Sequence, residues 1–527
     1  MLADDDMIAP WPAAHVIVGN PPFLGDKSMI DALGEEYVGR LRAAYAGRVL
    51  GSADLVCYWF EKARKSLESG PTKRVGLVAT NSIRSGASRA VLEKIRDEGQ
   101  IFEAWSDIPW VLDGASVRVS IVCFAAEQVV ALPRLDGGSV SVINPDLTAT
   151  KVDLTTVRPL RENDRRSFQG VTKSGSFGID GRLAREWLKA PLNPNGRPNA
   201  DVLRPIISGG ELARRPLDKW VIDFGTRTED EAALYAAPFE HVNRLVRPER
   251  EKVRRDLYRR FWWRFAERRP GMWDTIGTAS RYIATPKVSK HRFFVWLERA
   301  IVPDNLVIVI ARDDDTTFGI LSSRFHELWS LKKGAWIGVG NDPTYTPTST
   351  FETFPFPDGL IPDRAADFYA SDSRAASIAA AARQLDEQRQ RYLNPENLVR
   401  VASEVASGFP DRLLPQDEAA AEILKSLTLT NLYNERPRWL ANAHRDLDVA
   451  VALAYGWPKN ISDDDALERL FALNRSRAVA EEQRVTARPR TAKELREQPE
   501  LGLGVVAGGS QTPPATGELP DAAQKAS

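Results

Sequence analysis

The stretch HVIVGNPPFLGDKSM (residues 15–29) runs an apolar strand into Asn20-Pro21-Pro22-Phe23 almost at the start of the chain. Proline lacks a backbone N–H and fixes φ, so two in succession end the sheet ladder and hold the following backbone at a set angle. The strand therefore presents an amide, a stiff carbonyl and an aromatic ring at its carboxyl end. Working outward, ADLVCYWFEKARKSLE (53–68) has helical apolar spacing. RVGLVATNSI (74–83) reads as a buried strand ending in a polar loop, SRAVLEKIRDEG (88–99) as a helix, and IFEAWSD (101–107) and VRVSIVCFA (117–125) as two further strands. Strands alternating with helices predict an α/β region with a largely parallel sheet, which binds ligands at the strands' carboxyl ends. Asn20 and Phe23 sit at that edge.

Those residue types suit one chemistry. An adenine exocyclic amine is a poor nucleophile because its lone pair is delocalised into the ring. Methylating it calls for acceptors that take both N–H hydrogens and draw the nitrogen towards tetrahedral geometry. The Asn20 side-chain oxygen and the Pro21 carbonyl, held by the prolines, are candidates for those acceptors. Phe23 would stack on a base taken out of the duplex, offsetting part of an unstacking cost of a few kcal/mol. The plain alternative is a strand-ending turn followed by a core phenylalanine.

Composition sets wide bounds. The 527 residues, 43% of them hydrophobic, have room for roughly two to four domains with real cores. Lys+Arg and Asp+Glu balance at 71 each, so only the distribution of charge is informative. Cys57 and Cys123 both lie in apolar runs, which predicts buried reduced thiols and a cytoplasmic location. Apolar runs such as NLVIVIA (305–311) are too short to span a bilayer, so no membrane partner is expected. The five histidines show no ligand spacing, and FHELW (325–329) lacks the second histidine of a zinc-protease helix, so no metal is expected. No G-x-x-x-x-G-K-[ST] loop is present. Residues 1–155 form the first expected region, 156–362 a mixed α+β domain rich in Pro, Gly, Arg and Trp, 363–488 a helical region, and 489–527 a Pro/Gly/Ala/Thr-rich disordered tail.

Several long segments, in order and spacing, resemble MmeI-like DNA adenine-N6 methyltransferases of restriction-modification systems. They are VIVGNPPFLGDKSM, GSADLVCYWFEKA, RVGLVATNSIRSGASR and FEAWSDIPWVLDGASVRVSIVCF, followed by RPLDKWVIDFG, VRPER, RFWWRF, RYIATPKVSKHRFFVWL, FGILSSRFHELWSLKKGAWIGVGNDPTYTPTSTFETFPFP and LDVAVALAYGWP. The resemblance implies the C-terminal half of a class I, Rossmann-like methyltransferase sheet, then a target-recognition domain and a helical C-terminal region. It also implies S-adenosylmethionine as cofactor, double-stranded DNA as substrate, and Asn20, Pro21, Pro22 and Phe23 as the catalytic motif. Asp54 and Leu55, at the start of the following helix, become candidate cofactor-pocket residues. Members of the family carry a cofactor-binding strand with a Gly-rich turn, and usually a nuclease, ahead of this motif, whereas nineteen residues precede Asn20 here. The expectation is therefore a truncated enzyme whose cofactor half is on a separate polypeptide or lost. The alternative is a DNA-binding specificity module without catalysis, or an inactive remnant.

Between Arg244 and Arg299 there are 16 Lys/Arg against 6 Asp/Glu, interleaved with Tyr258, Phe261, Trp262, Trp263, Trp273, Tyr282 and Phe293. Such a block suits the phosphate backbone, with a few side chains reading base edges. The candidate DNA contacts are Arg250, Arg254, Arg255, Arg281, Lys287, Ser289, Lys290, His291 and Arg292. Strand-like alternation in TPKVSKHRFF (285–294) predicts Lys287, Ser289 and His291 on one face. For any single residue, a solvated helix with core aromatics is the plainer reading.

Overall fold

The structure, a computed structural model, describes residues 8–112, 115–149, 157–334, 336–337 and 342–486. The expected tail at 489–527 lies outside the described residues. The first region runs β1 (Val16–Gly19), α1 (Asp26–Leu33), α2 (Glu35–Ala44), α3 (Val56–Ser69), β2 (Arg74–Thr80), α4 (Gly86–Glu98), β3 (Gln100–Leu112), β4 (Ala115–Ala125), β5 (Arg134–Leu135) and β6 (Gly138–Ser139). Its sheet has the order β1-β2-β4-β3-β5-β6.

The expected largely parallel sheet is mixed. β1 lies parallel to β2 and β3 to β5, whereas β4 is antiparallel to both β2 and β3. Only Asp113 and Gly114 separate β3 from β4 in the chain, far too few for a parallel crossover, and Asp-Gly is a hairpin signal. Two-residue periodicity in β2 buries Val75, Leu77 and Ala79 while Gly76, Val78 and Thr80 stay half-exposed. From α3, Val56, Cys57, Phe60 and Ala63 join the same core, and Phe60 stacks on Phe124 of β4 at 6.0 Å between ring centroids. Each such large side chain contributes about 1.5–3 kcal/mol by leaving water. Among the described strands β1 pairs with β2 alone, and its Val16 and Val18 are 55% and 82% exposed.

Residues from Val157 to Leu470 share a second hydrophobic core. It is built on two four-stranded sheets. β7 (Ser167–Gln169), β11 (Arg281–Pro286), β12 (Val295–Glu298) and β14 (Val307–Ile310) form one; β8 (Gly178–Asp180), β9 (Leu203–Ile207), β10 (Lys219–Ile222) and β13 (Val302–Pro303) form the other. The helices Ser373–Leu393 and Arg438–Ala454 put Ile378, Ala382, Leu385, Leu440 and Leu447 into that core beside Phe318 and Ile320. The expected division at 362/363 thus runs through shared packing.

One contact there makes a pH-dependent prediction. Asp448 Oδ1 accepts the N–H of Arg324 at 2.8 Å, at the first residue of the helix Arg324–Lys333. Burial pushes the Asp448 carboxyl up to about 7, against the opposing pull of that N–H and the Arg324 charge. A raised carboxyl contributes stability that is complete below the ordinary aspartate range and is lost as pH rises through 7. Asp448→Asn keeps an acceptor without the charge. Its melting temperature should fall a few degrees less than the wild type's between about pH 5 and about pH 8. Parallel melting curves would count against this role for Asp448.

Candidate functional site

β1 ends at Gly19, and the two prolines turn the chain out of the sheet before α1 begins at Asp26. Asn20 is exposed, Pro21 buried, Pro22 exposed and Phe23 half-buried. Asn20, Pro21 and Pro22 line a concavity of about 420 Å³ shared with Trp11, Val16, Val18 and Trp59. Trp11 is held there by Lys62, whose ammonium lies 4.6 Å from its ring centroid. The arrangement offers an amide and an aromatic ring at the carboxyl end of a parallel strand, beside an open strand edge. Trp11 and Trp59 were not singled out by the sequence, in which both look like core aromatics.

Asp54 lies close to this loop, though its carboxylate is already engaged. Oδ1 accepts the Asp26 N–H at 3.2 Å and Oδ2 accepts the Ser82 hydroxyl at 2.5 Å. Leu55 is 4% exposed in the first core, and its N–H donates to Leu24 O at 2.9 Å. Leu55 thus packs in the first core, and its backbone ties the 54–55 turn to the loop before α1. Ser82 went unassigned in the sequence, although its position just past β2 on the ligand-binding edge was a usable signal.

The basic block divides in two. Arg250 is 1% exposed and donates to Lys173 O at 2.7 Å and Arg264 O at 3.1 Å. Arg292 is 6% exposed and donates to Thr285 Oγ1 at 3.0 Å, Pro286 O at 2.7 Å and Pro343 O at 3.2 Å. Burial lowers both guanidinium pKa values, that of Arg292 to about 10. These two arginines hold backbone carbonyls inside the fold, and Ser289 is buried as well. The expected strand over 285–294 stops at Pro286. Beyond it the chain is a loop pinned by Arg292, so Lys287, Ser289 and His291 do not form a strand face. Lys290 Nζ and His291 Nε2 both meet Asn434 Oδ1, at 2.7 and 2.8 Å. Arg281 stacks 3.7 Å over Trp296 and pairs with Asp315 at 2.8 Å. Arg254 and Arg255 are exposed, as are Arg244, Arg247, Lys252, Arg259 and Arg260 around them. That stretch, 244–260, holds seven of the block's nine exposed cations, Lys290 and Arg299 being the other two.

Both cysteines are free; Cys57 is buried and Cys123 half-buried, and burial pushes their thiols up to about 12 and about 11. Among the described residues no cluster of three His, Cys, Asp or Glu side chains is placed to hold a metal, and no helix is long and apolar enough to cross a membrane. His326 of FHELW is fully buried against Tyr345 Oη at 2.8 Å.

Residues 5–132 match the family model of the MmeI DNA-methyltransferase domain. The solved structure of the type IIL restriction-modification enzyme MmeI in complex with DNA is similar over 88% of this chain, with 18% identity and a TM-score of 0.64. The chain spans 57% of that structure's length. The DrdV–DNA complex covers 85% of this chain and 57% of its own at 10% identity and a TM-score of 0.35. The ATP-dependent type ISP enzyme LlaBIII bound to DNA covers 86% and 38% at 10% and 0.31. No curated protein sequence matches. The MmeI likeness extends the shared fold well beyond the matched domain, and over residues 5–132 the chain carries an MmeI-like DNA-methyltransferase domain.

Proposed function

We propose that this chain is the catalytic-loop and DNA-reading part of an adenine-N6 DNA methyltransferase of a restriction-modification system, acting in the cytoplasm. The observation that carries the reading is Asn20 standing exposed beside buried Pro21 at the carboxyl end of β1, within a domain matched to DNA methyltransferases. In this reading the Asn20 side-chain oxygen and the Pro21 carbonyl accept the two amino hydrogens of a flipped adenine, and Phe23 stacks on its ring. The amine lone pair then points away from both acceptors. S-adenosylmethionine, when bound, supplies an electrophilic methyl group.

The described residues do not by themselves fit that cofactor. The Asp54 carboxylate holds Asp26 and Ser82, and Leu55 is in the core. A separate polypeptide bearing the cofactor-binding half is the proposed partner, added along the open edge of β1, whose exposed Val16 and Val18 suit burial beneath it. The same engagement of Asp54 and Leu55 favours the second reading, a DNA-recognition module without catalysis. Double-stranded DNA is the proposed partner in both, through the cations of 244–260.

Calorimetric titration with S-adenosylmethionine separates the readings. Binding that requires a polypeptide with a Gly-rich strand-turn-helix supports the split enzyme. Absence of binding with and without it leaves the recognition module.

A further inference from the structure

An aspartate just ahead of a helix ordinarily turns back to cap it. Asp54 precedes α3, yet no side chain caps that helix. Its carboxylate instead crosses to two other segments, accepting the Asp26 N–H at 3.2 Å and the Ser82 hydroxyl at 2.5 Å. The Asp54 N–H donates to Ser88 Oγ at 3.1 Å, tying the same residue to α4. Next to it, Leu55 N–H donates to Leu24 O at 2.9 Å.

These bonds meet at one place, the far end of the loop that carries Asn20 to Phe23. The near end is fixed by the β1–β2 ladder, where Gly19 pairs with Leu77. The far end enters α1 at Asp26, and Leu24 and Asp26 are the two residues held by the 54–55 turn. Ser82 follows β2 by two residues and its hydroxyl also meets Thr80 Oγ1 at 2.7 Å, so the carboxylate joins the catalytic loop to the end of the neighbouring parallel strand. Arg42 of α2 holds the Asp26 side chain from the other side at 2.6 Å.

We propose that Asp54 is a positioning residue for methyl transfer, clamping the Asn20–Phe23 loop to the loop after β2. The inference rests on the methyltransferase reading. In this role Asp54 needs no contact with base or methyl donor; through Asp26 and Ser82 it fixes where Asn20 and the Pro21 carbonyl stand. A displacement of about 1 Å in a group that aligns reacting atoms costs on the order of a hundredfold in rate.

The test uses the full chain and two readouts. Hydrogen–deuterium exchange followed by mass spectrometry should show peptides within 20–29 exchanging at least about tenfold faster in Asp54→Ala, with β2–β4 peptides unchanged. Asp54→Asn keeps an oxygen acceptor and should restore near wild-type protection. In transfer of tritiated methyl from S-adenosylmethionine to DNA lacking adenine methylation, with the cofactor-half polypeptide present, Asp54→Ala should lower kcat by on the order of a hundredfold. KM for DNA should stay within about twofold, and Asp54→Asn should recover most of kcat. Unchanged exchange at 20–29 in Asp54→Ala overturns the clamp, and faster exchange with unaltered kcat overturns its role in the reaction. Should Asp54→Ala loosen the whole sheet, Ser82→Ala decides, because it removes one arm only: faster exchange confined to 20–29 supports the clamp and wild-type exchange there overturns it. A wild type that transfers no methyl group under these conditions sinks the methyltransferase reading and the catalytic role built on it, while the exchange measurement still supports or overturns the clamp.

Discussion

Asn20→Ala is expected to reduce methyl transfer to DNA by at least about a hundredfold while changing DNA affinity by less than about threefold. The asymmetry follows from what the side chain does. Asn20 sits exposed at the end of β1 on a rigid Pro21-Pro22 turn, so truncating it removes no core packing and frees no strand. In the proposed reading the lost group is one of two acceptors that reshape the attacking nitrogen. Removing one polar group aimed at a reacting centre commonly costs about 10²–10³ in kcat. In the same reading, affinity for DNA comes mainly from phosphate contacts elsewhere, which the substitution leaves alone. Asn20→Asp is the informative second variant: it keeps an acceptor oxygen and should retain more activity than alanine. Methylation and filter binding on the same preparations measure both quantities. Equal loss of transfer and of binding would remove Asn20 from the chemistry.

The parts of this molecule that could be read from its sequence are those governed by local rules. Two prolines after an apolar run end a strand wherever they fall, and β1 stops at Gly19 as those rules require. The alternation of β2 and the helical spacing of α3 were equally plain, because each element buries one face. Direction of pairing was not legible from alternation of strands and helices alone, and β4 came out antiparallel once the Asp113-Gly114 connection is weighed. The roles of charged side chains were legible least. Arg250, Arg254 and Arg255 look alike in the sequence, yet Arg250 is enclosed beneath Tyr258 and its two neighbours face water. What separates them is that the helix Ala236–Glu251 turns Arg250 inward with Val242 and Val246, whereas Arg254 and Arg255 lie beyond its end. Arg292 is the same case in a loop, where three oxygens from Thr285, Pro286 and Pro343 take the place of phosphate. The Asp54 contacts belong to this class too, since they join residues 28 positions apart on either side.

That division of the basic block gives the second large effect, a steep dependence of DNA binding on salt that traces to residues 244–260. Seven cations there are exposed, Arg244, Arg247, Lys252, Arg254, Arg255, Arg259 and Arg260. Two are partly neutralised by neighbours, Arg247 by Glu251 at 3.4 Å and Arg259 by Asp256 at 3.1 Å. If about four or five engage phosphates, log K should fall with log salt at a slope of about −4. Affinity should then drop by a few hundredfold between about 50 and about 200 mM salt. Reversing Arg254 and Arg255 together to glutamate should weaken binding strongly at low salt and make the slope shallower by about 2, since each lost phosphate contact releases about one counterion fewer. The fold should survive, because both side chains are exposed. Arg292→Ala should behave in the opposite manner: it strips three buried carbonyl and hydroxyl oxygens of their donor and lowers the melting temperature, with the salt slope of the surviving folded protein unchanged. A binding isotherm that is flat in salt, or a slope left intact by the Arg254/Arg255 reversal, places the DNA on another face of the molecule.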